Sequence, residues 1–126
     1  MTNIAILAHD EVVRMDPDAL RELHGQLGEA GTQGVVCRAI EEIANRLSLI
    51  ERCYYQRDMD ALWRASKGLI GIADQVGLTL VARVSRDVAA CVKAEDETAL
   101  SATLARLIRL GDRSLSAVWD MPELSV

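Results

Sequence analysis

Residues 35–55 read VVCRAIEEIANRLSLIERCYY. Val36, Ala39, Ile40, Ile43, Leu47 and Ile50 recur at steps of three and four, while Glu41, Glu42, Arg46 and Glu51 take the other side. A helix turns by about 100° per residue, so this spacing gathers the apolar groups into one stripe, which a strand of period two cannot do over such a length. The segment is therefore expected to be a long amphipathic helix with one face committed to a core.

The same pattern continues on the C-terminal side. Leu62, Ala65, Ser66, Leu69, Ala73 and Val76 share one face of a helix expected from about residue 60 to Gly77. Val81, Val84, Ser85, Val88 and Val92 mark another over 78–94, and Leu100, Leu104, Leu107, Ile108, Leu115 and Val118 a last one over 97–119, stopped by Pro122. Gln56, Arg57 and Asp58 make the turn before the second of these helices. On the N-terminal side, Asp16 suits a cap, Pro17 the first helical position and Asp18 the positive end of the helix dipole, with Leu20 and Leu23 at apolar spacing. Gly25, Gly28, Gly31 and Gly34 follow and lower helix propensity across that stretch, so a short helix over 16–25 and then a break are expected. Residues 1–14 read as a tail or loose turn. The expected fold is all-α: a single domain, 1–126, forming an antiparallel up-down four-helix bundle with a short extra N-terminal helix and no sheet.

Composition narrows the chemistry. Half of the 126 residues are apolar and 26% are charged, an ordinary globular balance. Phenylalanine is absent and the aromatics are Tyr54, Tyr55, Trp63 and Trp119, so the core must come from Leu, Ile, Val and Ala. The net charge of −5 argues against nucleic acid, which calls for a basic stripe. No apolar run approaches the roughly 18–20 residues of a membrane span, and the N-terminus has no basic flank before an apolar stretch, so neither a span nor a secretory signal is expected. A cytoplasmic protein with no membrane partner is the expectation. Cys37, Cys53 and Cys91 are odd in number and widely spaced, and are expected to be buried thiols, neither a disulfide framework nor a metal cluster. Glu41, Glu42 and Glu51 have no partner histidines, which argues against a di-metal bundle site. No cofactor is expected.

One stretch carries a family signal. Residues 57–62, RDMDAL, followed by 66–78, SKGLIGIADQVGL, resemble the histidine-containing phosphotransfer (Hpt) domains of two-component signalling. In those domains a turn of type G-D-x-x-x-(L/A) leads into a helix with the pattern H-x-x-K-G-(S/A)-(S/A)-x-x-x-G. Laid on without gaps, the pattern sets Lys67 at the phosphoacceptor histidine, Ile70 at the lysine, Gly71 at the glycine and Gly77 at the terminal glycine. Residues 94–100, AEDETAL, resemble the family's last inter-helix turn, and 16–23, DPDALREL, its short first helix, so the resemblance covers roughly residues 12–119. A second register pairs Lys67 and Gly68 with the family's Lys-Gly and puts Arg64 at the histidine, at the cost of three extra residues before Gly77. Neither register leaves a histidine at the acceptor site.

The resemblance implies a pseudo-Hpt module. In the family the acceptor histidine enters the acidic, magnesium-binding pocket of a receiver domain. A lysine has similar reach and positive charge, but a protonated amine has no lone pair with which to attack an aspartyl phosphate. The expected function is thus protein binding and not catalysis: docking of a response-regulator receiver domain or a histidine kinase, as a monomer or weak dimer. The face would centre on Lys67 with Arg64, Gly68, Ile70, Gly71, Asp74 and Trp63. Arg64, Lys67, Gly71 and Asp74 fall on the side of the helix opposite Leu62, Ser66, Leu69 and Ala73. Gly68 and Gly71 each cost about 1 kcal/mol against Ala in a helix interior, so each needs a reason: close approach of a partner, or packing against the chain's own first helix. Two other functions stand beside this one: a working phosphorelay through His24, or through His9 in the tail, and an unrelated helical module that self-associates. No Ser-His-Asp or Cys-His arrangement and no phosphate loop is present.

Overall fold

A computed structural model describes residues 15–119. They form four helices, α1 (Pro17–Tyr55), α2 (Met59–Gln75), α3 (Thr79–Ala94) and α4 (Glu97–Trp119), with no strand among the described residues. None of the described helices is long and apolar enough to cross a membrane. The expected tail, residues 1–14, lies outside the described residues, as do Pro122 and the side chain of Val118.

α1 begins as its sequence predicts. The Asp16 side chain accepts a hydrogen bond from the Asp18 N–H at 3.0 Å, and Pro17 takes the first turn, where no N–H is needed. The glycine-rich stretch behaves differently from expectation. Helix runs through Gly25, Gly31 and Gly34, and only Gly28 leaves helical geometry, at φ 73° and ψ −178°. The short helix expected over 16–25 is thus the first arm of α1, and its connection to the long helix shrinks to one residue. Packing decides this: Leu23, Thr32 and Val36 are buried on either side of Gly28, and such contacts outweigh a propensity loss of about 1 kcal/mol per glycine. Thr32 Oγ1 donates to the Gly28 carbonyl at 2.7 Å and so satisfies an acceptor at the kink.

All three connections close in the same way. Arg57, Gly77 and Glu95 sit in the left-handed region, at φ 59°, 76° and 54°. In each, the left-handed residue's N–H and the next residue's N–H reach back to two late carbonyls of the preceding helix: Arg57 to Tyr54 and Asp58 to Cys53, Gly77 to Asp74 and Leu78 to Ala73, Glu95 to Val92 and Asp96 to Cys91. This is the Schellman closure. The residue that ends one helix then starts the next, since the Asp58 and Asp96 side chains accept from the Ala61 and Ala99 N–H groups, each at 3.1 Å. Only the middle turn demands glycine. A Cβ on Gly77 would lie 2.8 Å from the Asp16 backbone nitrogen, which donates to the Gly77 carbonyl and ties the start of α1 to the α2–α3 turn.

The helices share one core. Ile43, Ile50, Leu62, Leu69, Val76, Val81, Val84, Val88, Leu107 and Leu110 are within 1% of complete burial and belong to a single contiguous cluster. These are the positions picked out by the three-and-four spacing, with Leu110 added. At one end of the α1–α4 seam the helices come close enough that a Cβ on Gly111 would strike the Leu47 side chain. At the other end Arg57 reaches Glu97 at 2.7 Å, and Tyr54 Oη donates to the same carboxylate at 3.3 Å.

Candidate functional site

α2 separates its two stripes as its sequence predicts. Leu62, Ala65, Ser66, Leu69 and Ala73 are buried; Arg64, Lys67, Gly71 and Asp74 are exposed; Trp63, Gly68 and Ile70 are half-buried along the border. Asp58 caps the helix and Asp60 lies in its first turn, which anchors the end that carries Trp63.

Trp63 organises the cations. The Lys93 ammonium, delivered from the last turn of α3, stands 4.3 Å from the centroid of the indole, and the Lys67 ammonium stands 5.8 Å from it. Both distances fall within the range in which a cation is drawn to an aromatic ring. Arg64, Lys67 and Lys93 make no ion pair among the described residues. Two cations thus stand over one indole, with Arg64 next to it in sequence, while the groove beside the ring is lined by the acids Asp60, Glu95, Asp96 and Glu97. Asp74, by contrast, is paired: its carboxylate accepts from Arg86 of α3 at 2.8 Å, which neutralises the acid at the far end of the stripe.

The two glycines have different causes. A Cβ on Gly68 would lie 2.7 Å from Arg46 Nη1, so Gly68 makes room for a guanidinium reaching over from α1, whose Nε is itself held by Glu42 at 3.1 Å. Gly68 therefore packs against its own chain. Around Gly71 nothing lies within 4 Å of the Cβ position, and that turn of α2 is bare. Exposed Lys67 and bare Gly71 stand one helical turn apart, with half-buried Ile70 between them in sequence.

Beside Trp63 a groove of about 380 Å³ opens where the start of α2 meets the end of α3 and the start of α4, with Met59, Val92 and Leu100 as its apolar floor and Asp60, Glu95 and Asp96 on its rim. Among the described residues no group of three or more histidine, cysteine or acidic side chains could hold a metal ion. His24 is exposed on the arm of α1 that precedes Gly28, and His9 lies outside the described residues. Cys53 is buried as expected, whereas Cys37 and Cys91 are only half-buried, because each sits at the edge of its helix's apolar stripe; all three are free thiols.

Lys93 and Arg46 were not picked out from sequence. A signal for Lys93 existed: Trp63 and Lys93 are roughly equidistant from Gly77, so a hairpin of α2 and α3 sets them side by side. Arg46 had no such signal, since its reach across to Gly68 depends on how α1 packs. Set against protein-family models, curated proteins and solved structures, the chain gives no match.

Proposed function

We propose that this chain is a pseudo-Hpt module of two-component signalling, a cytoplasmic antiparallel up-down bundle that binds a receiver domain or a histidine kinase through the face around Lys67 and carries no phosphate itself. The observation that carries the proposal is the exposed Lys67, beside the bare turn at Gly71 and among unpaired Arg64 and Lys93. A partner surface can approach closely there, and an acidic pocket finds cations that are not already neutralised.

Backbone geometry supports the ungapped register of the family pattern. Arg57 stands where the pattern has the glycine of its G-D turn, and Gly77 where it has its terminal glycine; both are left-handed, at φ 59° and 76°. Antiparallel neighbours are supported by the short Schellman turns and by two long-range ties, Arg57 to Glu97 and Asp16 to Gly77. The arm of α1 before Gly28 takes the part of the family's short first helix.

Two experiments test the function. A phosphorylated receiver domain from the same cell, incubated with this chain, is expected to leave no acid-labile phosphate on it; phosphohistidine at His24 would replace the proposal with a working relay. The Lys67→His variant is expected to acquire such phosphate, because an imidazole at that position presents the nucleophilic nitrogen that an ammonium lacks. Failure of Lys67→His to label while it still binds the receiver would remove Lys67 from the acceptor position.

A further inference from the structure

The first arm of α1 folds back on its own chain, and one residue lets it do so. The Asp16 N–H donates to the Gly77 carbonyl at 2.8 Å, and Ala19 Cβ lies 3.0 Å from the position a Gly77 Cβ would take, so the start of the arm rests on the α2–α3 turn. Gln75, at the end of α2, shares a small hollow with Val35, Arg38 and Ala39 of α1. Asp16 therefore returns to the level of the bundle near Val35, whereas a straight helix would carry it about 28 Å away along the axis, at about 1.5 Å per residue. The whole return is made at Gly28, whose φ of 73° is left-handed, while the residues on either side are helical. The arm is also thinly held. Between Pro17 and Leu27 Leu23 alone is buried, Leu20 packs partly against the core, and Leu27 at the bend is 48% exposed. Few buried apolar contacts put a segment at the low-stability end of a structure.

We infer that α1 is a hinged helix whose first arm exchanges between two copies of the chain. When Gly28 turns helical, α1 becomes one straight rod and its arm no longer reaches its own seat on the α2–α3 turn. The seat fits one segment, since the closed chain already fills it: buried Met15 and Leu23, with Leu20 against the core and the Asp16 N–H on the Gly77 carbonyl. A second copy supplies that same segment, so each arm closes the other copy and remakes every contact of the closed form. The two forms differ at the hinge alone, and a one-residue connection is the kind that favours exchange. Arm and body meet at Gly28 in the closed form, so the two rods cross there. Nothing lies within 4 Å of the Cβ positions of Gly25 and Gly34, and these bare flanking turns let the rods approach closely. The exchange uses no residue of the face around Lys67 and does not depend on it.

Gly28→Ala in the full chain tests the hinge. Alanine disfavours a left-handed φ and favours helix, so the straight form should gain roughly 30-fold per hinge, and a dimer, which straightens two, roughly 1,000-fold. Sedimentation is expected to show a far tighter dimer for Gly28→Ala than for wild type, with helical content by circular dichroism unchanged or higher. A folded Gly28→Ala chain that associates no more tightly than wild type would overturn the inference. Loss of helix in this variant would overturn it as well, because a helix-favouring residue would then have broken a rod that should straighten. Two further variants show whether the arm is what is exchanged. Gly-Ser-Gly inserted after Gly28 gives the arm a flexible return to its own seat and should hold the chain monomeric. Leu23→Asp added to Gly28→Ala should dissociate the dimer, since a carboxylate cannot take the buried place of Leu23. A dimer that survives either change would be held by another surface and would contradict the exchange.

Discussion

The α2–α3 face and the α1–α4 groove are made by the same bundle and offer opposite chemistry. On the first, Trp63 holds Lys93 and Lys67 near its ring and Arg64 stands unpaired, so the surface offers free cations around an aromatic, with the acids Asp60, Glu95 and Asp96 along the adjoining groove. On the second, Tyr55, Leu104 and Ile108 are apolar and the rim carries one acid and one base. A surface with free cations selects partners by charge and depends on salt; an apolar furrow with a mixed rim depends on shape. Both faces rest on the same contiguous core.

The sharpest way to break the comparison is to remove that common support. Leu69, fully buried on α2's inner stripe, should cost about 2–5 kcal/mol when changed to Ala, and receiver binding should fall with the fold. On the outer stripe of the same helix, Gly71→Leu should leave the melting temperature unchanged or raise it, by up to about 1 kcal/mol of stability, while hindering approach to Lys67. Thermal melts of the two variants, run beside receiver binding, separate core from face.

Trp63→Ala should act on one surface alone. With the ring half-buried, a loss of roughly 1–2 kcal/mol of stability is expected from lost burial and the lost cation contacts. Receiver binding should weaken by more than the loss of stability explains. Unchanged receiver affinity in this variant would remove the ring from the docking face.

A smaller effect concerns what lies directly beneath the cationic face. Ser66 is fully buried and its hydroxyl has no hydrogen-bond partner, whereas buried Ser85 and Ser114 donate to the carbonyls of Val81 and Leu110, at 2.8 and 2.7 Å. Ser66→Ala should therefore stabilise the chain by about 1 kcal/mol, seen as a higher melting temperature with binding unaffected, while Ser85→Ala should not stabilise it.

The smallest effect is at the end of the seam. The hydrogen bond from Arg57 holds the Glu97 carboxyl below its ordinary pKa, and the attraction of the guanidinium acts in the same direction. A carboxylate with a depressed folded-state pKa contributes stability above the ordinary carboxylate range and loses it as pH falls through the lowered value. Wild type and Glu97→Gln should accordingly differ slightly in melting temperature at neutral pH, and the difference should vanish in acid. The pair is exposed, so a large gap at neutral pH would contradict this account.

Much of the fold was legible because its causes are local. The inner stripe of α2, the valines of α3 and the leucines of α4 announce themselves by spacing, and Asp16, Asp58 and Gly77 by turn chemistry. The run from Gly25 to Gly34 was not legible, since four glycines argue for a break and only the burial of Leu23, Thr32 and Val36 shows that a single kink suffices. At the site, the exposure of Arg64, Lys67, Gly71 and Asp74 followed from the helical turn. What those residues touch did not: Asp74 is neutralised by Arg86, Gly68 shelters Arg46, and Lys93 joins Trp63 from another helix, all of them consequences of packing between helices. Arg57 hides its left-handed backbone for a related reason, since its side chain reaches Glu97 of α4 and its residue type gives no hint of positive φ.

The central claim, that Lys67 marks a docking face for an acidic receiver surface, is tested most directly by calorimetric titration of a receiver domain from the same cell into the wild-type chain and into Lys67→Glu, at low and at physiological salt. Reversing one charge at a partly desolvated contact is expected to cost about 2 kcal/mol or more, a weakening of roughly 30-fold, and the wild-type affinity should itself fall as salt rises. Equal affinity for wild type and Lys67→Glu at both salt concentrations would contradict the claim.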